Sequence, residues 1–180
     1  MVKKIDELTV ESFGEMFVSM RLDEGLIDSG DDEYIRVIGS DAQERSIIVN
    51  DFAREIGYTM LHYLATHPDV GFETFREDVR QFAKIGTVFS YKGTVNGKYP
   101  FRNIIEEADK VLELFGKKRS SIMVIYLDLS KDQTIQMLQY AHLRIHMNMR
   151  FGVNRININI AFWEEQEGNN ETGRIHIWFA

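Results

Sequence analysis

The stretch SIMVIYLDL, residues 121–129, decides the fold of this chain. Its apolar side chains fall at both odd and even positions, whereas a strand with one wet face alternates apolar and polar residues. Both faces of the segment are therefore expected to be buried. We predict a central strand of a sheet here and place the other elements around it.

The segments that follow predict a helix and two further strands. A helix over 131–149 begins after Ser130, whose side chain is a good N-cap. Residues 155–163 and 174–180 alternate strictly, as half-buried strands do. The acidic, Gly- and Asn-rich segment between them predicts that these two strands form a hairpin.

Upstream of the central strand, apolar spacing predicts mainly helices. The predicted elements are helices over 10–25, 41–66, 75–84 and 103–115 and a short strand over 34–38. The start of the second helix is open, because residues 46–50 also read as a strand. Gly57 interrupts the apolar stripe of that helix at a cost of about 1 kcal/mol against alanine. Close approach of another element at Gly57 is therefore expected.

Residues 87–101 contain Asn96-Gly97, a strong turn signal because both positions tolerate positive φ, and they predict a second hairpin. With hairpins predominating, the fold class is α+β. We expect a single domain over 1–180, with a mostly antiparallel sheet of about five to six strands and helices packed on one face.

Composition excludes several classes of function. The net charge of −7 argues against a non-specific nucleic-acid binder and against binding to anionic membranes. The chain has no cysteine, which excludes disulfides and thiolate chemistry. No apolar run approaches the roughly 18 residues of a membrane helix, and the N-terminal segment lacks the pattern of a secretory signal. A cytoplasmic location is the expectation.

Two histidines, His142 and His146, lie four residues apart in a predicted helix and can share one metal ion. Asp128, at the end of the central strand, is the candidate third ligand, with His176 as another. Leu143 stands where the metalloprotease motif HExxH has its glutamate, so that mechanism does not apply. The alternative is that both histidines pack in the core or at its rim.

The same helix carries two apolar stripes on nearly opposite sides. One is expected to pack on the sheet and consists of Ile135, Leu138, Ala141, Ile145 and Met149. The other needs a second partner, either another helix of the same chain or a second subunit, and we predict a homo-oligomer through Tyr140, Leu143 and Met147.

A ligand surface is predicted on one face of the last two strands. It offers donors, acceptors, a cation and an aromatic platform from Asn157, Asn159, Arg174, His176 and Trp178. The alternative is a solvated sheet face or one covered by a partner. An anion pocket is a further candidate, formed by Lys117, Lys118, Arg119, Arg150 and Arg155.

Three functional hypotheses follow. The favoured one is an oligomeric domain that binds a partner protein or a small-molecule ligand, because no complete catalytic constellation is visible. The second is a small enzyme with a His/Asp acid–base or metal-assisted site. The third is a binder of phosphate or nucleotide ligands. The sequence specifies no cofactor and does not decide whether the protein is an enzyme.

Overall fold

The computed structural model describes residues 9–23, 34–39, 44–67, 69–84, 87–115, 122–153, 155–163 and 171–180. By its contacts the chain divides into two compact units. The first unit holds residues up to 38 and 43–88, and the second holds residues 89–179 with the short segment 39–42. Each unit is described separately below.

Five helices and six strands occur in these segments. The helices are α1 (Val10–Asp23), α2 (Val49–Thr66), α3 (Phe72–Ala83), α4 (Phe101–Phe115) and α5 (Met137–Phe151). The strands are β1 (Tyr34–Ile38), β2 (Glu44–Ile48), β3 (Thr87–Asn96), β4 (Ile122–Ser130), β5 (Arg155–Trp163) and β6 (Thr172–Phe179).

The first unit is built on aromatic packing between α1, α2 and α3. Phe13 of α1 lies against Phe75 of α3, with ring centroids 6.2 Å apart, and Phe17 packs on Phe52 of α2 at 5.9 Å. A Cβ atom at Gly57 would lie 2.5 Å from the ring of Phe13. The expected close approach at Gly57 is confirmed, since only a glycine lets the α1 ring rest directly on the α2 backbone.

A two-stranded hairpin precedes α2. β1 and β2 are antiparallel, with Tyr34 opposite Ile48 and Ile38 opposite Glu44. The predicted helix over 41–66 is therefore wrong at its start, where β-branched Ile47 and Ile48 favour a strand and α2 begins only at Val49.

The second unit contains a four-stranded mixed sheet in the order β3-β6-β4-β5. β6 is antiparallel to both β3 and β4, whereas β5 runs parallel to β4. The prediction of a mostly antiparallel sheet is corrected to a mixed one. The predicted hairpin of the last two strands is also wrong, because β4 lies between them.

The central position of β4 is confirmed. Ile122, Val124, Ile125 and Leu127 are all fully buried, as expected for a strand covered on both faces. The parallel partner β5 follows from α5, since a helix crossover returns the chain to the same end of the sheet.

Helices α4 and α5 pack on one face of this sheet. Phe179 of β6 marks that face, and its ring lies 5.6 Å from both Phe115 of α4 and Phe151 of α5. Phe89 of β3 completes the cluster at 5.1 Å from Phe179.

Two local predictions need correction. β3 runs unbroken to Asn96, so no hairpin forms there; Gly97 does take a positive φ of 94°, but its turn leads into α4. Ser130 is the last residue of β4 and not the cap of the next helix. α5 begins after Gln136, whose side chain forms a reciprocal capping box with Gln139.

Candidate functional site

The inner side of α5 is the stripe that was predicted to form an interface. Leu143 and Met147 are fully buried, and Phe151 continues the same side of the helix. The hydroxyl of Tyr140 donates to the carbonyl oxygen of Ile158 on β5, at 3.2 Å. The prediction of an oligomer contact through Tyr140, Leu143 and Met147 is therefore corrected, because these side chains form the packing of α5 on its own sheet.

The outer side of α5 is the stripe that was predicted to face the sheet. The exposed fractions are 81% for Leu138, 58% for Ile145 and 79% for Met149, and Ala141 between them is also exposed. At about 100° per residue these four side chains lie on one side of the helix. We call them the α5 ridge: Leu138, Ala141, Ile145 and Met149.

The polar residues beside the ridge are basic or neutral, since α5 contains no carboxylate. His142 is exposed and packs against Phe101 of α4 with ring centroids 5.4 Å apart. His146 Nε2 lies 2.8 Å from Asp109 Oδ1, which is 3.8 Å from Arg150 Nε. These contacts tie α5 to α4 and leave the ridge apolar.

The three predicted metal ligands take separate partners. His142 contacts Phe101, His146 pairs with Asp109, and Asp128 Oδ2 accepts from Arg174 at 2.6 Å. Within the segments that the structure describes, no group of three His, Asp or Glu side chains could hold a metal ion. His142 and His146 are one turn apart on α5, as their spacing predicted, but no third ligand lies beside them among the described residues.

The predicted ligand surface is brought together by the sheet register. Asn157 lies beside Val124, which is paired with Trp178, and Asn159 lies beside Tyr126, which is paired with His176. All of these side chains are on the sheet face opposite Phe179. Arg174 lies at the same face, paired with Asp128.

The side chains of this face are less exposed to solvent than the sequence suggested. Trp178 and Asn157 are each 3% exposed and Asn159 is fully buried. The Nδ2 atom of Asn157 and both polar side-chain atoms of Asn159 have no hydrogen-bond partner among the residues that the structure describes. An unpartnered buried amide costs about 1–3 kcal/mol, so the face holds unused hydrogen-bonding capacity.

One residue of this face was missed by sequence reasoning. Ser90 Oγ lies 2.7 Å from His176 Nε2, and the His176 ring stacks on Trp178 at 3.4 Å between centroids. Ser90 is distant in sequence from His176, and only the pairing of β3 with β6 brings them together. No local motif could have signalled it.

The predicted anion pocket cannot be assembled from the described residues alone. Lys117, Lys118 and Arg119 lie outside the described residues. Of the other two members, Arg150 lies near Asp109 and Arg155 opens β5 beside Ile122.

A groove in the first unit is a second surface of interest. It lies between α1 and α2 and has a volume of about 500 Å³. Its apolar lining comes from Val10, Val18 and Leu22, and its charged lining from Glu11 and Glu15 of α1 and Arg54 of α2. No helix in the described segments is both long and apolar enough to cross a membrane.

Solved structures similar to this chain are proteins of the FtsZ, TubZ and CetZ kinds. An FtsZ mutant of M. jannaschii matches with a TM-score of 0.45 and 10% identity, over 72% of this chain and 38% of that chain. TubZ of Bacillus thuringiensis serovar israelensis, in a GTPγS-form protofilament, matches with a TM-score of 0.42 and 12% identity over 95% and 47%. A GTPγS-bound protofilament of CetZ2 from Haloferax volcanii matches with a TM-score of 0.42 and 10% identity over 94% and 50%.

The chain thus spans half or less of each of these proteins. No protein-family model and no curated protein sequence matches it. Likenesses at this level define no family for the chain, and we infer its function from the surfaces described above.

Proposed function

We propose that this protein is a self-associating domain that forms homo-oligomers through the α5 ridge. The observation that carries the proposal is the exposure of Leu138, Ile145 and Met149 along one side of a helix whose other side is fully packed. The homo-oligomer predicted from the sequence is kept, and its contact moves to the opposite side of α5.

The physical argument is the cost of leaving this ridge in water. Burial of apolar surface contributes about 25 cal/mol per Å², and contiguous exposed patches beyond a few hundred Å² mark interaction sites. Met137, 88% exposed at the start of α5, lengthens the patch. A stable contact buries about 800 Å² per partner, so residues around the ridge take part as well.

The test is a ridge variant that keeps the helix. In Leu138→Gln/Ile145→Gln/Met149→Gln the apolar ridge becomes polar without a change of charge, and glutamine is a good helix former. The matched control is Leu114→Gln, since Leu114 is a single leucine exposed to 48% on α4. Sedimentation velocity and native mass spectrometry at micromolar concentration report the subunit number.

We expect wild type and Leu114→Gln to be oligomeric and the ridge variant to be monomeric. At a dilution where wild type is also monomeric, the circular-dichroism melts of the three proteins should match. A monomeric wild type, or a ridge variant with the same subunit number as wild type, contradicts the proposal.

A second candidate function is binding of a small polar ligand at the sheet face of Asn157, Asn159, Arg174, His176 and Trp178. The unpartnered amide of Asn159 supports it, because a ligand with both a donor and an acceptor would satisfy that group. Native mass spectrometry of the freshly purified protein tests it. A retained mass that disappears in Asn159→Leu supports the site, and an apo spectrum from both proteins counts against it.

A further inference from the structure

We propose that the groove between α1 and α2 of one copy receives the α5 ridge of a second copy. This rests on the proposed self-association and names the surface that meets the ridge. The contact is heterologous, because it joins two different surfaces of the same chain.

The groove has the shape that a helix ridge needs. Among the described residues, no atom lies within 4 Å of a Cβ atom built on Gly14, so this position leaves a notch in α1. Val18 lines the groove one turn further along, and Leu22, 43% exposed, lines it after another turn. The α1 side of the groove therefore presents a row of one glycine and two apolar side chains, and the α2 side adds Asn50 and Arg54.

The two surfaces share one spacing. Gly14, Val18 and Leu22 follow each other at intervals of four residues, and so do Ala141, Ile145 and Met149. Rows of residues four apart form the ridges and grooves of the commonest class of helix packing, in which the axes cross at about −50°. Each of these two rows begins with its smallest residue, Gly14 or Ala141, which permits close approach of the two helices.

Charge favours this pairing over contact between two copies of α5. Glu11, Glu15 and Arg54 are the charged residues that line the groove, and all three are exposed, so the groove carries more negative than positive charge. α5 has no carboxylate and carries Arg144 and Arg150, so two α5 helices would bring like charges together. Complementary charge at the rim of an interface selects partners and raises the association rate.

A heterologous contact, unlike an isologous contact about a two-fold axis, does not close after two copies. Each copy keeps a free ridge at one end of the assembly and a free groove at the other. Association therefore continues past the dimer, and ends only if the copies close into a ring.

The test mixes two variants, each defective in one surface. The ridge variant is Leu138→Gln/Ile145→Gln/Met149→Gln, and the groove variant is Gly14→Leu/Leu22→Glu. Leucine at Gly14 fills the notch and gains about 1 kcal/mol of helix propensity, and position 22 is half-exposed. Leu114→Gln is again the control, and circular-dichroism melts confirm that each variant folds.

We expect each variant alone to be monomeric and their equimolar mixture to form a dimer that grows no further, since it has one intact ridge and one intact groove in contact. A groove variant that self-associates like wild type overturns this inference. If the ridge variant is then still monomeric, the proposed function itself stands. Two monomeric variants that do not bind each other also overturn it.

Reversing the charge of the two groove glutamates is a second test, and it does not fill the groove. Glu11→Lys/Glu15→Lys changes only exposed side chains, and we expect it to weaken self-association about tenfold at low salt, with the difference from wild type shrinking as salt rises. An unchanged dissociation constant at low salt overturns the placement of the ridge in this groove.

Discussion

Helices α4 and α5 have equal length and pack on the same sheet face, yet their outer sides differ. The outer side of α4 is charged, with Arg102 paired to Glu106 at 3.1 Å, both side chains exposed. The outer side of α5 is the apolar ridge. α4 thus presents ion-paired side chains to the solvent, whereas α5 presents apolar ones, and the proposed self-association would cover them.

The inner sides differ as well. α5 is held by apolar packing, whereas α4 buries the carboxylate of Glu107, which accepts a hydrogen bond from the hydroxyl of Tyr91 and one from Lys110. Gly93 leaves room for this group, since a Cβ atom there would overlap Glu107. α4 thus adds a buried carboxylate to its apolar contacts, whereas Tyr140 of α5 makes a neutral hydrogen bond to Ile158 of the sheet.

The largest expected effect separates the two sides of α5. Leu143→Ala removes a fully buried side chain and is expected to lower the free energy of unfolding by about 2–5 kcal/mol. Leu138→Ala, on the ridge, should change the stability of the monomer by less than about 0.5 kcal/mol. Urea unfolding of both variants at a dilution that keeps the chain monomeric measures the contrast. Equal losses would show that the ridge is packed within its own chain.

The second effect tests the polar anchor of α4. Burial, with the hydrogen bond to Glu107, raises the pKa of Tyr91 above its ordinary value of about 10. A raised pKa contributes stability that is complete below pH about 10 and is lost as the pH rises toward the folded-state pKa. Tyr91→Phe should therefore cost about 1–3 kcal/mol at neutral pH.

The same variant should flatten the fall in stability above pH about 10. Urea unfolding from pH 7 upward, with wild type in parallel, measures both changes. An alkaline slope that is the same in Tyr91→Phe as in wild type would show that Tyr91 is not the linked group.

A smaller effect of opposite sign is expected on the other face of the sheet. Asn159→Leu replaces an unpartnered buried amide by an apolar group of similar size, and should raise the free energy of unfolding by about 1 kcal/mol. Differential scanning calorimetry of the apo protein measures it. A lower melting temperature would mean that the amide has a partner in solution.

The smallest effect concerns the charged outer side of α4. Arg102→Ala breaks an i, i+4 pair with Glu106 in which both side chains are solvent-exposed, and should cost no more than about 0.5 kcal/mol. Thermal melts at low and high salt check it, since the difference should vanish at high salt. A loss above about 1 kcal/mol would show that the pair is not a simple surface ion pair.

The sequence predicted the helices and strands better than it predicted which strands pair with each other. The double-sided apolar pattern of residues 122–129 identified β4 correctly, because burial on both faces leaves a local signature. The choice of neighbouring strands for β5 and for β6 left no such local signature. Eight residues lie between the end of β5 at Trp163 and the start of β6 at Thr172, a length that does not restrict β6 to the strand next to it in sequence.

The orientation of α5 could not be predicted, because its two apolar stripes are nearly equal in strength. The choice depended on Phe151, which joins Leu143 and Met147 on the inner side and packs on Phe179. The predicted helix ended at residue 149 and left Phe151 out, so the longer inner stripe was not recognised. The register of β4, β5 and β6 places the residues of the polar sheet face near one another, whereas their burial depends on packing that no local pattern encodes.

Because β6 lies between β3 and β4, the sheet of the second unit is complete only after β6 has been synthesised. β6 is translated after β3, β4 and β5, yet it supplies the hydrogen-bonding partner for facing edges of β3 and β4. Until residues 172–179 leave the ribosome, both edges lack that partner and are open to strands of neighbouring nascent chains. A chain cut short before residue 172 would therefore be a substrate for chaperones and proteases, with α4 and α5 already formed above a divided sheet.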